Sequence, residues 1–301
     1  LYEYARPDIM AGKTILYLHG FASSGQNGTV RAMTTLLPET RIIAPDIPVE
    51  PQEALTFLND LCAKENPDLI IGASMGGMYA ELLRGFDRIL FNPAFFLADT
   101  LQKNNGLGRQ EFHNPRRDGQ TSFLVTKGLL ESFREASSHC FENMPDNASD
   151  PSSFGEMTDE RDHVYGMFGT HDNFVTGTFD VFRKYYANAI HFEGEHYMDD
   201  SVLLHSVLPV IERIDDKQEK RSKPVMFIAL TDVLLDLRNG VSRGKSIEEM
   251  EPYGSAVKAF AALTRNYSPY VLITNDFNEP ERIPALTRWV EKRIGVPAWN
   301  R

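Results

Sequence analysis

The chain has 301 residues, 42% of them hydrophobic and 24% charged, and carries a formal net charge of −11 at pH 7. This length suggests two domains or one large one. So negative a chain offers no basic field to meet phosphates, which argues against a nucleic acid or a membrane surface as partner.

Two further features of the sequence bear on the cellular compartment. No apolar run approaches the length of a bilayer span, and the first residues, Leu-Tyr-Glu-Tyr, lack the basic and apolar regions of a secretory signal. We therefore expect a cytoplasmic protein.

The two cysteines, Cys62 and Cys140, provide neither a disulfide framework nor a metal-binding spacing, so we expect free thiols.

The first 94 residues alternate between strand patterns and helix patterns. This alternation predicts a mainly parallel α/β sheet with helices on both faces. Strands are predicted at residues 13–18, 40–44, 69–71 and 88–91, and helices at 30–37, at 53–64 and directly after residue 74.

The alternation breaks between residue 95 and about residue 161. This segment holds polar turns and one clear helix pattern at residues 127–137. Because it follows a strand, we predict an insertion above the C-terminal edge of the sheet, placed to form a lid or a pocket wall.

Strand and helix patterns return in the remainder of the chain. The run 215–222, Asp-Asp-Lys-Gln-Glu-Lys-Arg-Ser, lacks periodicity and is typical of an exposed linker. We therefore predict a first domain over residues 1–214, a linker at 215–223 and a second α/β module over 224–301. Further strands are predicted at 163–168 and 189–192, further helices at 177–187 and 201–214, and a new strand from Pro224.

Residues 72–76, Gly-Ala-Ser-Met-Gly, join an apolar strand to a helix pattern. A serine on such a strained strand-to-helix turn is typical of the nucleophile elbow of hydrolases. Gly72 and Gly76 are predicted to lie where a Cβ would strike the neighbouring backbone, because the serine adopts an unfavourable conformation. We therefore expect Ser74 to be a catalytic nucleophile.

A nucleophilic serine needs a base, and the base needs an acid that orients it. In hydrolases with this elbow the order is serine, acid, histidine, each on a loop at the C-terminal end of a strand. Asp172 and His196 each follow a predicted strand, so we predict them as acid and base. Two alternatives are that Asp172 caps the next helix and that His196 is a solvated loop residue. His171 is a rival base, but it precedes the acid.

An acyl-transfer site also needs donors that point at the developing oxyanion. The backbone N–H of Met75, directly after the nucleophile, is one candidate. The second is expected from the loop after the first strand, where Phe21 follows His19 and Gly20. We expect His19 to shape that turn and not to transfer protons.

Several motifs of the first domain resemble the small YqiA-type esterases of the α/β-hydrolase superfamily, and the resemblance covers about residues 13–212. They are Tyr-Leu-His-Gly-Phe-Ala-Ser-Ser at 17–24, Gly-Ala-Ser-Met-Gly-Gly at 72–77, Asn-Pro-Ala at 92–94, Asn-Pro at 114–115, the helix near 128–133 and Gly-Glu-His at 194–196.

This resemblance implies an α/β-hydrolase fold in which Ser74 is the nucleophile, Asp172 the acid and His196 the base. It also implies hydrolysis of carboxylic esters with short acyl chains, without a metal or an organic cofactor. The insertion is longer and more polar than the resemblance leads us to expect, so the substrate range is not carried over.

The second module resembles haloacid-dehalogenase-type phosphatases, whose first motif is Asp-x-Asp-Gly-Val-Leu, and within them the 5′(3′)-deoxyribonucleotidases. Ala229 stands in place of the nucleophilic aspartate, Thr231 in place of the acid/base aspartate and Asp232 in place of the glycine. An alanine cannot be phosphorylated, and the magnesium site loses its main ligands. We therefore expect a truncated, inactive module that serves packing, oligomerisation or small-molecule sensing. The similar stretches are residues 225–236, 250–257, 270–275 and 289–292.

The leading hypothesis is a serine hydrolase that cleaves small carboxylic esters through an acyl-enzyme intermediate. The alternative is a non-catalytic regulatory or scaffold protein built from two degenerate enzyme domains. A nucleotide phosphatase is a third hypothesis, against which Ala229 and Thr231 argue. The expected partner is a small-molecule ester, and a homo-oligomer is compatible with the sequence.

Overall fold

The computed structural model describes residues 1–144, 158–263, 266–273 and 279–294. The chain divides into two compact units, Leu1–Ala189 with Glu195–Asp200 and Ile190–Gly194 with Ser201–Arg301. The second unit thus takes in residues that the sequence assigns to the first domain. A Cβ added to Gly194 would lie 3.0 Å from Val202 Cγ2, so the chain at residue 194 packs on the helical stretch that begins at residue 200.

Parallel strands form the central sheet. The described chain before residue 193 contains eight strands: β1 Thr14–Leu18, β2 Arg41–Ile43, β3 Leu69–Ala73, β4 Arg88–Phe91, β5 Gly108–Glu111, β6 Ser122–Val125, β7 Val164–Gly169 and β8 Asn188–Phe192. Six of them form one sheet in the order β2-β1-β3-β4-β7-β8. The pairs β1–β2, β1–β3, β3–β4 and β4–β7 are parallel, so these strands end at one common edge. The structure thus has the mainly parallel α/β sheet that the sequence predicts.

Side-chain caps mark the starts of some of the helices. The side chain of Asn27 accepts the N–H of Val30, and the side chain of Thr126 accepts that of Leu129. Strand β3 is a continuous apolar run, and β4 is apolar after Arg88, because the residues of both strands are buried on both faces. The helices of this part of the chain are α1 Gly28–Leu36, α2 Pro51–Glu65, α3 Met75–Leu82, α4 Leu97–Lys103, α5 Lys127–Ser138, α6 Thr158–Asp162 and α7 Thr178–Tyr185.

The insertion between β4 and β7 contains α4, the antiparallel pair β5–β6, α5 and α6. The helix predicted at residues 127–137 is α5. The pair β5–β6 is not predicted, because both strands are short and neither Gly-Arg-Gln-Glu nor Ser-Phe-Leu-Val alternates between apolar and polar residues. Residues 145–157 of the predicted insertion lie outside the described residues.

The second unit has its own apolar core. Trp289 is buried in it, and its indole N–H donates to the Met250 carbonyl oxygen at 2.8 Å. Strands β9 and β10 pair in parallel, with Ala229 opposite Leu272. No helix in the described ranges combines the length and the apolar character that crossing a bilayer requires. The elements after residue 199 are α8 Asp200–Val202, a π-helical segment Leu203–Val207, α9 Leu208–Gln218, β9 Val225–Ala229, α10 Leu237–Ser242, α11 Ala256–Leu263, β10 Ser268–Leu272 and α12 Ile283–Arg293.

The first residues of the predicted linker are helical in the structure. Helix α9 continues to Gln218, and Asp215 is buried. The reason is that the charges of this run pair with one another. Arg221 donates to Asp215 Oδ2 at 3.1 and 3.2 Å and to Asp216 Oδ1 at 2.9 Å. A paired carboxylate can be buried where an unpaired one would be too costly, so residues 215–218 are helix and not linker.

Candidate active site

Ser74 lies on the turn between β3 and α3, with φ 56° and ψ −113°. A positive φ is strained for a residue with a side chain, and the surrounding backbone leaves little room. A Cβ added to Gly72 would lie 2.1 Å from the Gly76 carbonyl oxygen, and one added to Gly76 would lie 2.0 Å from that of Leu18. The Ser74 N–H donates to the Phe91 carbonyl oxygen at 2.9 Å. The tight turn therefore holds the serine at the C-terminal edge of the sheet.

Three side chains that are far apart in the sequence meet at this edge. His196 Nε2 lies 3.1 Å from Ser74 Oγ, and His196 Nδ1 lies 2.8 Å from Asp172 Oδ2. The side chains of His196 and Asp172 are 9% and 4% exposed, so their hydrogen bond is shielded from water. The structure thus brings together the three residues that the sequence singles out as nucleophile, acid and base.

The Asp172 carboxylate accepts hydrogen bonds from three groups. The backbone N–H groups of Phe174 and Val175 donate to Oδ1 at 2.8 and 3.0 Å, and His196 occupies Oδ2. Burial raises the pKa of this carboxyl, but the hydrogen bonds from His196, Val175 and Phe174 outweigh it and hold the pKa below its ordinary value. Asp172 is therefore ionised at neutral pH.

The charge of Asp172 fixes the tautomer of His196. An ionised carboxylate only accepts hydrogen bonds, so the proton of the neutral imidazole lies on Nδ1. Nε2 then accepts, and the hydroxyl of Ser74 is the donor of the 3.1 Å hydrogen bond. His171, the rival base, is exposed on the surface. The imidazole at hydrogen-bond distance from the serine is that of His196.

Two backbone amides beside Ser74 are available as donors. Met75 is the first residue of α3, where the opening N–H groups have no partner within the helix. Phe21 follows Gly20, at which an added Cβ would lie 3.6 Å from Ser74 Cβ. Within the part of the chain that the structure describes, neither amide donates to a protein acceptor. An oxyanion at this position would require donors of this kind.

His19 is a buried residue that fixes the loop carrying Phe21. Its Nε2 accepts the Ile47 N–H at 2.9 Å, so Nδ1 carries the proton and donates to the Gly20 carbonyl oxygen at 2.7 Å. Burial lowers the pKa of this imidazole to about 4, and the ring is neutral at pH 7. These contacts agree with the turn-shaping role expected from the sequence.

The insertion holds the same loop from the other side. The buried Ser24 hydroxyl donates to the Pro115 carbonyl oxygen at 2.6 Å. The ring of Phe21 packs edge-to-face on Phe123 and Phe133, with centroids 5.3 and 6.2 Å apart. The segment that contains β5, β6 and α5 is therefore a wall attached to the loop.

Two aromatic rings that sequence analysis does not single out lie near the imidazole. The ring centroids of Phe174 and Tyr197 each lie 5.2 Å from that of His196. The two residues are 49% and 75% exposed, so both offer apolar surface beside the hydrogen-bonded groups. Their only signal in the sequence is position, since Phe174 lies two residues after Asp172 and Tyr197 directly follows His196.

Strand β9 in the second unit ends in a residue without a reactive side chain, unlike β3, which leads into Ser74. Ala229 is its last residue, at the position compared above with a phosphatase nucleophile. Among the described residues, no group of three or more His, Cys, Asp or Glu side chains is arranged to hold a metal ion. Residues 274–275 of the resemblance lie outside the described ranges. An open cavity of about 610 Å³ beyond this strand is lined by Asp232, Asp236, Arg238, Asn239, Ser242 and Tyr253.

Comparison with known proteins finds a family match for the first part of the chain. The model of UPF0227, an uncharacterised protein family, matches residues 14–200, which is more than half of the sequence. A protein of Vibrio phage KVP40, provisionally named a 5′(3′)-deoxyribonucleotidase, is 25% identical over 114 residues, covering 33% of this chain and 67% of the phage protein.

Solved structures with a similar chain path include two esterases. Est1E from Butyrivibrio proteoclasticus, solved with ferulic acid bound, has a TM-score of 0.45 and 15% identity, over 72% of this chain and 92% of its own. The methylesterase MES16 from Arabidopsis has a TM-score of 0.41 and 11% identity, over 66% of this chain and 98% of its own.

Proposed function

The chain belongs to the uncharacterised protein family UPF0227, and we propose that it is a serine hydrolase that cleaves small carboxylic esters through an acyl-enzyme intermediate. The observation that carries the proposal is a chain of two hydrogen bonds, 3.1 Å between Ser74 Oγ and His196 Nε2 and 2.8 Å between His196 Nδ1 and Asp172 Oδ2. Groups in this order and at these distances activate a hydroxyl that is otherwise a weak nucleophile.

In the first half of the reaction, Ser74 Oγ attacks the ester carbonyl carbon while its proton passes to His196 Nε2. The carbonyl oxygen becomes an oxyanion, for which the amides of Met75 and Phe21 are the donors. Asp172 keeps the imidazole in the required tautomer and stabilises the imidazolium. His196 then gives the proton to the alkoxide oxygen of the leaving alcohol, and the acyl group remains on the serine.

In the second half, water replaces the alcohol. His196 takes a proton from water, whose oxygen attacks the acyl carbon, and the proton returns to Ser74 Oγ as the carboxylic acid leaves. Every proton and electron pair is accounted for by the serine, the imidazole and water. The proposed reaction therefore needs no further co-reactant.

The surroundings of the imidazole support a small ester with an apolar group. Phe174 and Tyr197 each place a ring near His196, at 5.2 Å between centroids. Rings of this kind contribute apolar contact area without charge. A substrate group placed beside the base would therefore meet apolar surface.

The test is the replacement Ser74→Ala, which removes the attacking oxygen. We expect turnover of p-nitrophenyl acetate to fall by at least about 10³-fold, with the circular dichroism spectrum unchanged. Ser138→Ala is the matched control, because the exposed Ser138 hydroxyl donates to the Glu135 carbonyl oxygen near the end of α5, and it should retain full turnover. If Ser74→Ala keeps about a tenth or more of wild-type turnover, Ser74 is not the nucleophile.

The alternative proposal is a non-catalytic regulatory or scaffold protein. Ala229 at the end of β9 favours it, because one half of the chain then lacks the group that the related chemistry needs. A probe that reacts only with activated serines separates the two proposals. Covalent capture of the wild-type chain supports the hydrolase, and an unreactive wild-type chain supports the scaffold.

A further inference from the structure

Asn92 is the residue that directly follows β4, and it is only 2% exposed. Its φ is 40°, in the left-handed region that asparagine and glycine tolerate better than other residues. Its backbone N–H donates to the Met167 carbonyl oxygen of β7 at 2.8 Å. The residue is therefore held at the common edge of the sheet, and its side chain turns away from the path of a continuing strand.

The side-chain amide of Asn92 connects two loops. Its Nδ2 group donates to the carbonyl oxygens of Glu195 and His196, both at 3.0 Å. Its Oδ1 accepts the backbone N–H of Gly169 at 2.8 Å. Gly169 ends β7, three residues before Asp172, whereas His196 is the proposed base itself. One buried amide thus hydrogen-bonds the backbone at the end of β7, near the carboxylate of Asp172, and the backbone of the loop that carries the imidazole of His196.

The residues next to Asn92 contact the proposed nucleophile. The Ala94 N–H donates to the Ser74 carbonyl oxygen at 2.9 Å, and the Phe91 carbonyl oxygen accepts the Ser74 N–H at 2.9 Å. A Cβ added to Gly77 in the first turn of α3 would lie 2.9 Å from Pro93. The segment 91–94 therefore touches all three parts of the proposed site.

We propose that Asn92 is a positioning residue for the hydrolase, holding the loop of His196 at a fixed offset from the loop of Asp172. It touches no reacting atom and acts through the 2.8 Å hydrogen bond between His196 and Asp172 and the 3.1 Å hydrogen bond between His196 and Ser74. This inference rests on the function proposed above. A misplacement of about 1 Å in reacting groups can cost on the order of 10²-fold in rate.

The chemistry of the site demands an amide at position 92. Two carbonyl oxygens need donors and one N–H needs an acceptor, and a carboxamide supplies both in one short side chain. A carboxylate would keep the acceptor but would face two carbonyl oxygens with negative charge. A glycine would keep the backbone conformation and remove all three hydrogen bonds.

Asn92→Gly and Asn92→Asp test the proposal. In both folded variants we expect kcat for p-nitrophenyl acetate to fall about 10- to 100-fold with KM within about threefold of wild type. Thr40→Val is the matched control, because the buried Thr40 hydroxyl also contacts two carbonyl oxygens, those of Ile9 and Met10, at 3.2 and 3.1 Å. This control should lose thermal stability and keep its kcat per folded molecule.

Asn92→Asp also has a pH signature that a merely structural role would lack. A buried carboxyl facing carbonyl oxygens favours its protonated form, which can donate one hydrogen bond again. The ratio of variant to wild-type kcat should therefore rise at least about threefold between pH 8 and pH 6. Using the ratio removes the pH dependence that both proteins share.

The proposal is overturned if either folded variant keeps its kcat within about threefold of wild type, or if the loss lies in KM alone. A pH-independent ratio for Asn92→Asp also overturns it. If Asn92→Gly does not fold, Asn92→Asp decides, because it retains the acceptor for Gly169. Failure of the proposed function is a separate result, since either the wild-type chain would then show no turnover or Ser74→Ala would keep it, whatever Asn92 does.

Discussion

Strand β3 in the first unit and strand β9 in the second end in chemically different ways. Strand β3 leads into Ser74, whose hydroxyl lies 3.1 Å from an imidazole nitrogen. Strand β9 ends at Ala229, which has no side-chain group that could attack a substrate or carry a phosphate. Both strands pair in parallel with a neighbour, so the same strand geometry leads to the proposed nucleophile in one unit and to an alanine in the other.

The fold of each unit and the proposed reaction depend on different residues. The second unit is ordered by its own apolar core, including Trp289 and Phe260, and that core does not depend on a nucleophile. The first unit carries a strained serine at φ 56° that its packing does not require. The side chains at the strand ends, and not the architecture, therefore decide which chemistry each unit could support.

The largest effect is expected from replacing His196, the proposed base in the first unit. In His196→Ala the serine proton loses its acceptor, and we expect kcat/KM for p-nitrophenyl acetate to fall about 10⁴-fold. His139→Ala is the matched control, because that imidazole is exposed and contacts Glu135 and Glu142 at 3.1 Å. The control should retain wild-type activity. A loss of less than about tenfold in His196→Ala would assign the base elsewhere.

The next effect concerns the second unit, for which packing is the expected role. Trp289→Ala removes a buried indole and its 2.8 Å hydrogen bond to Met250, and we expect a loss of about 3–5 kcal/mol in the free energy of unfolding. Trp289→Phe keeps most of the volume and should lose less. Urea unfolding followed by circular dichroism measures both. An unchanged transition in Trp289→Ala would show that this core does not stabilise the unit.

A smaller effect concerns the pH dependence of stability that His19 contributes. Burial lowers the pKa of His19 to about 4 from an ordinary value of 6.5, so the folded chain binds fewer protons than the unfolded chain. The resulting stability is complete above pH 6.5 and is lost as the pH falls from 6.5 towards 4. The difference amounts to about 3 kcal/mol.

His19→Gln tests this prediction, because glutamine does not titrate in that range. Between pH 7 and pH 4 the free energy of unfolding should decline more steeply in wild type than in the variant, by up to about 3 kcal/mol. Denaturant titrations at each pH provide the measurement. Parallel pH profiles for the two proteins would mean that His19 is not held neutral by burial.

The smallest effect concerns the exposed ring of Tyr197. In Tyr197→Ala we expect KM for p-nitrophenyl acetate to rise about three- to tenfold with kcat nearly unchanged, because apolar contact is lost in both the ground state and the transition state. Tyr197→Phe retains the ring and should resemble wild type. A fall in kcat with KM unchanged would instead point to a role for the phenol in the chemical step.

Features with a local pattern could be predicted from the sequence. Strand β3 reads as an apolar run because both its faces are buried, and the glycines after it mark the tight turn around Ser74. Helix α5 shows helical periodicity and begins at the cap Thr126. The positions of Asp172 and His196 after strands follow from chain order, while their catalytic roles stay a prediction.

Features that depend on distant partners could not be predicted. The side chain of Asn92 bonds Glu195, 103 residues away, and no local pattern marks such a contact. Strands β5 and β6 pair with each other although neither has an alternating apolar pattern. Residues 215–218 are helical because Arg221 pairs with Asp215, so a charged stretch that looks like a linker continues α9.

Reaction with a fluorophosphonate tests the central claim most directly, because this reagent phosphonylates a serine whose hydroxyl is activated and spares ordinary serines. We predict that the wild-type chain is labelled at Ser74, as mapped by mass spectrometry of its peptides, and that His196→Ala is labelled at least about 100-fold more slowly. Ser74 is not an activated nucleophile if the wild-type chain remains unlabelled, or is labelled only at another residue, under conditions in which an established serine hydrolase reacts completely.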